Sequence, residues 1–125
     1  MTERRRVLLV DDDEDVRSVF ELVLGEIYEV RTAATGAETI ECALAWRPDL
    51  LLLDWTLPDT TGEEVVDKLR ARGSGCETLP IVIVSGDATV KEIARRIGAD
   101  ACPKPCAIDQ LMAAVERALE KPRNA

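Results

Sequence analysis

The sequence predicts an α/β protein built on a parallel sheet that is covered by helices on both faces. Short apolar or β-branched runs alternate with longer segments of helical period. This alternation repeats about five times, as expected for consecutive strand–helix units. A chain of 125 residues is near the commonest size for one folded unit. We therefore expect a single domain over residues 1–125, with a core of about residues 5–121 and short frayed termini.

The strand–helix units follow one another without a linker, an internal repeat or a low-complexity segment. In chain order, the expected strand and helix pairs are RVLLV and EDVRSVFELVLGEI, YEVRTA and GAETIECALAWR, DLLLLD and EEVVDKLRAR, PIVIVS and TVKEIARRIG, and ADAC and AIDQLMAAVERALEK. The run ADAC is short and poor in large apolar residues, so its assignment depends mainly on its place in the alternation.

The helical segments are recognised by the spacing of their apolar residues. Positions i, i+3, i+4, i+7 and i+11 are apolar in the first segment, and an equivalent stripe recurs in the last. The two stripes are Val16, Val19, Phe20, Val23 and Ile27, and Leu111, Ala114, Val115, Ala118 and Leu119. We expect each stripe to cover the sheet.

Residues typical of helix ends agree with this pattern. Thr35 and Asp109 stand where the second and last helices should begin, and their side chains are suited to N-terminal capping. Gly98 stands where the fourth helix should end, and glycine is the commonest residue at that position.

Composition excludes several classes of function. Lysine and arginine number 16 against 24 acidic residues, a net charge of −8, and histidine is absent. Negative charge opposes nucleic-acid or membrane binding through a broad basic surface. The lack of histidine removes His-based triads, His-ligated zinc and any role as a phosphohistidine donor. No apolar run reaches about 18 residues and no signal-peptide pattern opens the chain, so we expect a cytoplasmic protein.

Polar residues that can take part in catalysis or ligand binding follow four of the five expected strands. The first strand leads into Asp11 to Asp13, the third ends on Asp54, the fourth leads into Ser85 to Asp87, and the fifth into Pro103 to Pro105. The carboxyl ends of parallel strands lie along one edge, where open α/β sheets bind ligands. We therefore expect these residues to form one site.

Carboxylates gathered at one edge repel each other unless positive charge lies among them. Lys104 supplies one charge and a divalent cation would supply two, and hard oxygen ligands favour Mg²⁺ over zinc. Taken singly, each feature has a simpler interpretation. The acidic run suits any helix start, Asp54 and Ser85 are ordinary strand-end residues, and most lysines are on the surface.

The ordered motifs resemble the receiver domain of bacterial two-component response regulators. The acidic pair after VLLV, the run LLLDWTLPDTTG, then PIVIVSG and GADACPKP occur in family order, and the resemblance extends from VLLVDD through KPCAIDQLMAAV. It implies a flavodoxin-like, doubly wound five-stranded sheet in the order 2-1-3-4-5, flanked by five helices.

The resemblance also implies a role for each site residue. It makes Asp54 the phosphoacceptor, with a lysine and a hydroxyl that contact the phosphoryl group and with ligands for Mg²⁺ or Mn²⁺. The residues are Lys104 and Ser85 for the phosphoryl contacts, and Asp11, Asp12, Asp54 and the backbone carbonyl of Thr56 for the metal. Thr56 and Asp87 occupy positions that tune phosphoryl gain and loss, and the Lys104–Pro105 bond is expected to be cis.

The implied function is a phosphorylation-controlled switch. A sensor histidine kinase or a histidine phosphotransfer domain would donate phosphoryl to Asp54, and an output partner not identifiable from the sequence would respond. The domain would catalyse only its own phosphoryl transfer and dephosphorylation, without direct contact to nucleic acid or membrane. The alternative is an aspartyl-phosphate phosphatase, which commonly needs a second acid where this chain has Thr56.

Two departures from the family pattern concern the region around Lys104. Ala101 stands where relatives usually carry an aromatic switch residue, so we expect signalling to use backbone movement or other side chains, or to be weakened. Cys102 and Cys106 bracket the lysine. The four cysteines show no CxxC spacing, which favours plain packing as small apolar residues; a redox switch that locks the loop is the alternative.

Overall fold

Five parallel strands form one sheet, in the order β2-β1-β3-β4-β5, in the computed structural model, which describes residues 4–121. The strands are β1 Arg6–Val10, β2 Glu29–Ala33, β3 Leu50–Asp54, β4 Ile81–Ser85 and β5 Asp100–Pro103. The helices are α1 Glu14–Leu24, α2 Gly36–Trp46, α3 Gly62–Arg70, α4 Val90–Ile97 and α5 Ile108–Glu120. The expected fold class and strand order are confirmed. Of the termini expected to fray, residues 1–3 and 122–125 lie outside the described residues.

The central strand β1 pairs with β2 on one side and with β3 on the other. The chain therefore moves outward in both directions from β1, and the crevice above the β1 and β3 ends is the switch point where such sheets bind ligands. Val10 pairs with Leu53, and Asp54 pairs with Val84 of β4. This register places Asp11, the residue after β1, level with Asp54.

Both faces of the sheet are buried, which explains why its central strands read as continuous apolar runs. Alternate residues of β3 point to opposite sides. Leu51 and Leu53 pack in one cluster with residues of α2, α3 and α4, whereas Leu50 and Leu52 pack in a second cluster with residues of α1 and α5. Consequently β3 is held rigidly in the middle of two packed layers.

The apolar stripe expected for the first helix is partly wrong. The helix ends at Leu24, so Ile27 lies beyond it and is exposed, and Val19 is half exposed. Leu24, which the stripe omitted, is fully buried against the sheet. The contact face is therefore centred on Phe20 and Leu24, four residues apart.

The helix ends mostly follow their sequence signals. The Thr35 side chain accepts a hydrogen bond from the Glu38 N–H, and Gly98 adopts the left-handed conformation after α4. The cap expected at Asp109 is wrong. Residue Ala107 occupies the N-cap of α5, and its N–H donates to the Gln110 side chain at 3.3 Å.

Within residues 4–121, none of the helices has the length and apolar character needed to cross a membrane.

Leucines 22 and 24 of α1 allow a matched test of this packing. We expect Leu24→Ala to lower the free energy of unfolding by about 2 to 4 kcal/mol, because it opens a cavity in the core. Leu22 is 74% exposed. Changing it to alanine should lower the free energy of unfolding by no more than about 0.5 kcal/mol. Urea denaturation of both variants measures the difference, and equal losses would contradict the placement of the helix.

Candidate functional site

Three carboxylates meet above the ends of β1 and β3. Oxygen atoms of Asp11, Asp12 and Asp54 all lie within 4.8 Å of one another. Asp11 and Asp54 are buried, whereas Asp12 is exposed. The expected acidic cluster is therefore present, and two of its members are held in a low-dielectric setting where their repulsion is strong.

The carboxylate of Asp11 is both constrained and destabilised by this position. Its Oδ1 accepts a hydrogen bond from the Asp13 N–H at 2.9 Å. Burial raises the pKa of Asp11 above its usual 3.8, and the Asp54 charge adds to that effect, while the Asp13 N–H and Lys104 act in the opposite direction. The charged form of Asp11 is thus disfavoured unless further positive charge is present.

Lys104 brings one positive charge to the cluster. Its Nζ lies 3.3 Å from Oδ1 of Asp54, and its backbone N–H donates to the Ser85 carbonyl at 2.8 Å. The second bond continues the pairing of β5 with β4 and so fixes where the lysine stem begins. The Lys104–Pro105 bond is cis, the conformation that the resemblance implies.

The phosphoacceptor candidate Asp54 uses one oxygen for both of its nearby donors. Oδ1 accepts from Lys104 and, at 3.3 Å, from the Thr56 N–H. Among residues 4–121, no hydrogen bond to Asp54 Oδ2 is found. Thr56 itself is exposed and pairs with Thr61 through an isolated antiparallel bridge. The role of its carbonyl as a metal ligand stays a prediction.

The loop after Asp54 is closed by a tight contact between Trp55 and Gly62. The Gly62 N–H donates to the Trp55 carbonyl at 3.0 Å, and a Cβ at position 62 would lie 2.3 Å from the Trp55 ring. Only glycine fits beneath the ring as it is placed here. The adjacent Thr61 then caps α3, because its side chain accepts from the Glu64 N–H.

Ser85 and Asp87 lie at the end of β4, as expected. Ser85 is buried, and its hydroxyl oxygen accepts from the Asp87 N–H at 3.1 Å. The Asp87 carboxylate accepts from the Thr89 N–H at 2.8 Å and the Thr89 hydroxyl at 2.7 Å. These bonds lower the pKa of Asp87. Its visible role is to hold the turn into α4, and the expected tuning of phosphoryl loss stays a prediction.

An open cavity of about 600 Å³ leads to the carboxylates and is also lined by Lys104, Pro105 and Cys106. The three carboxylates carry up to three negative charges, and Lys104 compensates one. The donor set contains hard oxygens, and an acid of raised pKa lies within it. These properties fit a small divalent cation such as Mg²⁺ or Mn²⁺.

The expectation of plain packing is wrong for two of the four cysteines. Cys102 and Cys106, four positions apart in the sequence, form a disulfide with their Cα atoms 6.1 Å apart. Cys42 and Cys76 are free, and Cys76 is buried in the core as expected. The chain reverses direction between positions 102 and 106, which a reading of their spacing alone did not reveal.

Two contacts at the site had no sequence signal. The Arg17 guanidinium donates to the backbone carbonyl of Asp11 at 2.8 Å and so braces the acidic loop. The Asp59 carboxylate accepts from the Gly36 and Ala37 N–H groups at 2.8 and 3.1 Å. These bonds lower the pKa of Asp59. Asp59 thereby caps α2 from the loop that follows the phosphoacceptor candidate.

Ala101 lies half-buried on β5 and lines an open groove of about 510 Å³ together with residues of α4 and α5. The groove lies along the edge strand β5, at the position where relatives usually carry an aromatic ring and this chain has alanine. The consequence of this alanine for signalling stays a prediction.

Comparison with known proteins identifies the family. The family model for the response regulator receiver domain matches residues 7–116 of this chain. Response regulator MprA of Mycobacterium leprae is 35% identical over 120 residues, which cover 93% of this chain and 51% of that protein. A crystal structure described as a response regulator from Chloroflexus aurantiacus has a TM-score of 0.86 at 34% identity, covering 95% of this chain and 100% of that one. The structure of chemotaxis response regulator CheY4 of Vibrio cholerae has a TM-score of 0.83 at 29% identity, covering 92% of this chain and 98% of that one.

The chain belongs to the response regulator receiver domain family, a class of signalling domain in two-component systems. It spans about half the length of the curated relatives it matches. The resemblance noted in the sequence is thereby confirmed, and nothing in these relatives supports the phosphatase alternative.

Removing the charge of Asp11 tests the repulsion within the cluster. Because the folded-state pKa is raised above 3.8, the charge opposes folding at pH values above that raised pKa, and the penalty is relieved as the pH falls through it. We expect Asp11→Asn to raise the free energy of unfolding at neutral pH by about 0.5 to 2 kcal/mol. The gain should vanish below the usual pKa.

Denaturation between neutral and acidic pH without divalent cations measures this gain. Asp67→Asn, on the exposed side of α3, is the matched control and should change stability little. A loss of stability in Asp11→Asn at neutral pH would contradict the repulsion argument.

Proposed function

We propose that this receiver domain accepts a phosphoryl group on Asp54 and that a divalent cation held by the acidic cluster is required. The observation that carries the proposal is the convergence of three carboxylates and one ammonium at the end of the buried strand β3. A buried carboxylate that faces an open cavity is suited to act as a nucleophile, because rigid neighbours fix its position.

In the proposed reaction, Asp54 Oδ2 attacks the phosphorus of a phosphohistidine. An oxygen–phosphorus bond forms as the nitrogen–phosphorus bond breaks, and the bonding electron pair leaves with the imidazole nitrogen. The leaving imidazole is neutral when its other ring nitrogen carries a proton. Oδ1 is already held by Lys104 and the Thr56 N–H. Binding at Oδ1 leaves Oδ2 without a hydrogen bond from the described residues 4–121, so we propose it as the attacking atom.

Lys104 and Ser85 are proposed to stabilise the transferred group. The Lys104 ammonium already lies beside Asp54, and it would pair with a phosphoryl oxygen as negative charge spreads over that group. The Ser85 hydroxyl accepts from the Asp87 N–H, so its own proton is available to a phosphoryl oxygen.

Asp11, Asp12 and Asp54, with the Thr56 carbonyl, would hold Mg²⁺ or Mn²⁺. When bound, such an ion neutralises carboxylate charge and polarises a phosphoryl oxygen. The Asp13 N–H and the Arg17 guanidinium fix the Asp11 carboxylate and carbonyl, which supports a role for Asp11 in the proposed metal site.

Loss of the phosphoryl group would occur by attack of water on phosphorus, which releases inorganic phosphate and restores the Asp54 carboxylate. We propose that Thr56 and Asp87 tune this rate from either side of the reacting group. With alanine at position 101, the response of α4 and β5 would depend on backbone movement or on other side chains.

The proposed donor is the phosphohistidine of a sensor kinase or of a histidine phosphotransfer domain. The output partner is a protein whose binding changes with phosphorylation, and nucleic acid and membrane are not direct partners. A chain that spans half of its curated relatives fits a stand-alone regulator, a relay intermediate or the receiver part of a longer protein. One domain with a core of about residues 5–121, in the cytoplasm, remains the prediction.

Phosphorylation by acetyl phosphate tests this function directly. We expect intact-protein mass spectrometry to show one alkali-labile phosphoryl group, dependent on Mg²⁺ and lost in Asp54→Asn. Asp67→Asn should behave as the unmodified chain does. A phosphoryl group that persists in Asp54→Asn would contradict the assignment, as would failure of both acetyl phosphate and beryllofluoride to modify or bind the protein.

The contribution of Lys104 is tested by Lys104→Met, which retains an apolar stem and removes the charge. We expect the rate of phosphorylation to fall about 10- to 100-fold, because an ammonium at the developing charge is lost. Lys68→Met, on the exposed side of α3, is the control. Rapid-quench sampling of the mass change gives both rates, and equal rates would remove Lys104 from the mechanism.

A further inference from the structure

The Cys102–Cys106 disulfide encloses the site lysine in a loop of five residues. The two Cα atoms are 6.1 Å apart, a separation at which sulfurs can bond without movement of the backbone. Lys104 is the central residue of the loop, two positions from each cysteine. Among residues 4–121, this is the one pair of cysteines that is joined.

The two cysteines belong to different parts of the fold. Cys102 is a buried residue of β5, paired with Val84 of β4 and packed in the cluster beneath α5. Cys106 is half-buried, directly precedes the N-cap of α5, and lines the cavity that contains the carboxylates. The disulfide therefore joins a fixed strand to the segment that returns to a helix.

The loop positions Lys104 from both sides. On the strand side, the Lys104 N–H bonds to the Ser85 carbonyl at 2.8 Å. On the helix side, the disulfide holds Cys106 against Cys102. The side chain of Lys104 is 42% exposed, so packing alone restrains it weakly, and the covalent closure supplies the second anchor.

We propose that Cys102 and Cys106 form a thiol–disulfide switch that sets the position of Lys104 and thereby the rate at which Asp54 gains phosphoryl. This inference rests on the proposed function. Opening the loop leaves its helix side without a covalent anchor, so the ammonium spends less time beside Asp54. The oxidised form is the faster acceptor.

The redox step is an exchange with a disulfide oxidant, either a small disulfide such as oxidised glutathione or a dithiol–disulfide exchange protein. The Cys106 thiolate, reached through the cavity, attacks the oxidant and forms a mixed disulfide while one oxidant thiolate leaves. Cys102, after losing its proton, then attacks Cys106 Sγ and the second oxidant thiolate leaves. Two protein thiols lose two electrons in all, and the oxidant disulfide gains them.

The other two cysteines provide internal controls. Cys76 is buried in the core cluster on the opposite side of the sheet from Cys102, and Cys42, half-buried on α2, packs against that same cluster. A change at either one leaves the Lys104 loop intact.

The test compares protein oxidised by glutathione disulfide with protein reduced by dithiothreitol, each freed of reagent. Alkylation after denaturation should label two cysteines in the oxidised form and four in the reduced form. With acetyl phosphate and Mg²⁺, the oxidised form should be phosphorylated about 2- to 10-fold faster, the effect expected from restraining one flexible side chain. Cys42→Ala should retain this difference.

Cys106→Ala separates the switch from general oxidation, because position 106 is half-buried and tolerates a smaller side chain. This variant should react at the rate of the reduced chain under both conditions. Labelling of four cysteines in the oxidised chain would contradict the proposed switch. So would equal phosphorylation rates for the oxidised and reduced forms, provided that both forms are still phosphorylated. If no form of any variant takes up phosphoryl, the proposed function fails and the switch fails with it.

Discussion

The site depends on the repulsion between carboxylates that the sheet does not allow to separate. Val10 and Leu53 are paired partners in buried strands, so the residues that follow or end these strands, Asp11 and Asp54, must share one edge. Movement that would separate the charges would have to disturb two packed cores. The repulsion is therefore met by other charges and donors, namely Lys104, nearby N–H groups and the cation that the proposed function requires.

The apolar runs and the acidic edge are two aspects of this same constraint. Leucines on both faces of β3 provide the rigidity, and the end of the strand places the buried Asp54 carboxylate at the open cavity. A more flexible scaffold would let the acids move apart, which would weaken the binding of the proposed cation. The carboxylates at the edge thus lower the stability of the fold, and the packing of the two cores offsets that loss.

Much of the fold could be predicted from sequence because local patterns and burial agree. All ten elements were predicted, with the strand boundaries within about one residue, as expected for strongly patterned segments. The order of the strands came from the resemblance, since periodicity does not specify neighbours. The error in α1 arose because the helix ends at Leu24, so the expected stripe ran past its end to Ile27. The stripe also missed Leu24, which packs with Phe20 in the core cluster on that side of the sheet.

The acids and the lysine of the site were predictable because they end or directly follow β1, β3 and β5, whose carboxyl ends lie along one edge of the sheet. The contacts of Arg17, Asp59 and the Cys102–Cys106 pair were not, because each depends on a loop conformation. Arg17 reaches a carbonyl six residues earlier, and Asp59 reaches a helix 22 or 23 residues earlier. The cysteine pair needs a chain reversal that alternation patterns do not encode.

The contact between Trp55 and Gly62 constrains how this sequence can diverge. A side chain at position 62 would overlap the indole ring, so divergence there requires a smaller residue or a different ring position at 55 first. The two sites should therefore vary together, with the ring exchanged before the glycine. Because the ring directly follows Asp54, drift in this pair would alter the surroundings of the phosphoacceptor candidate without touching any of its ligands.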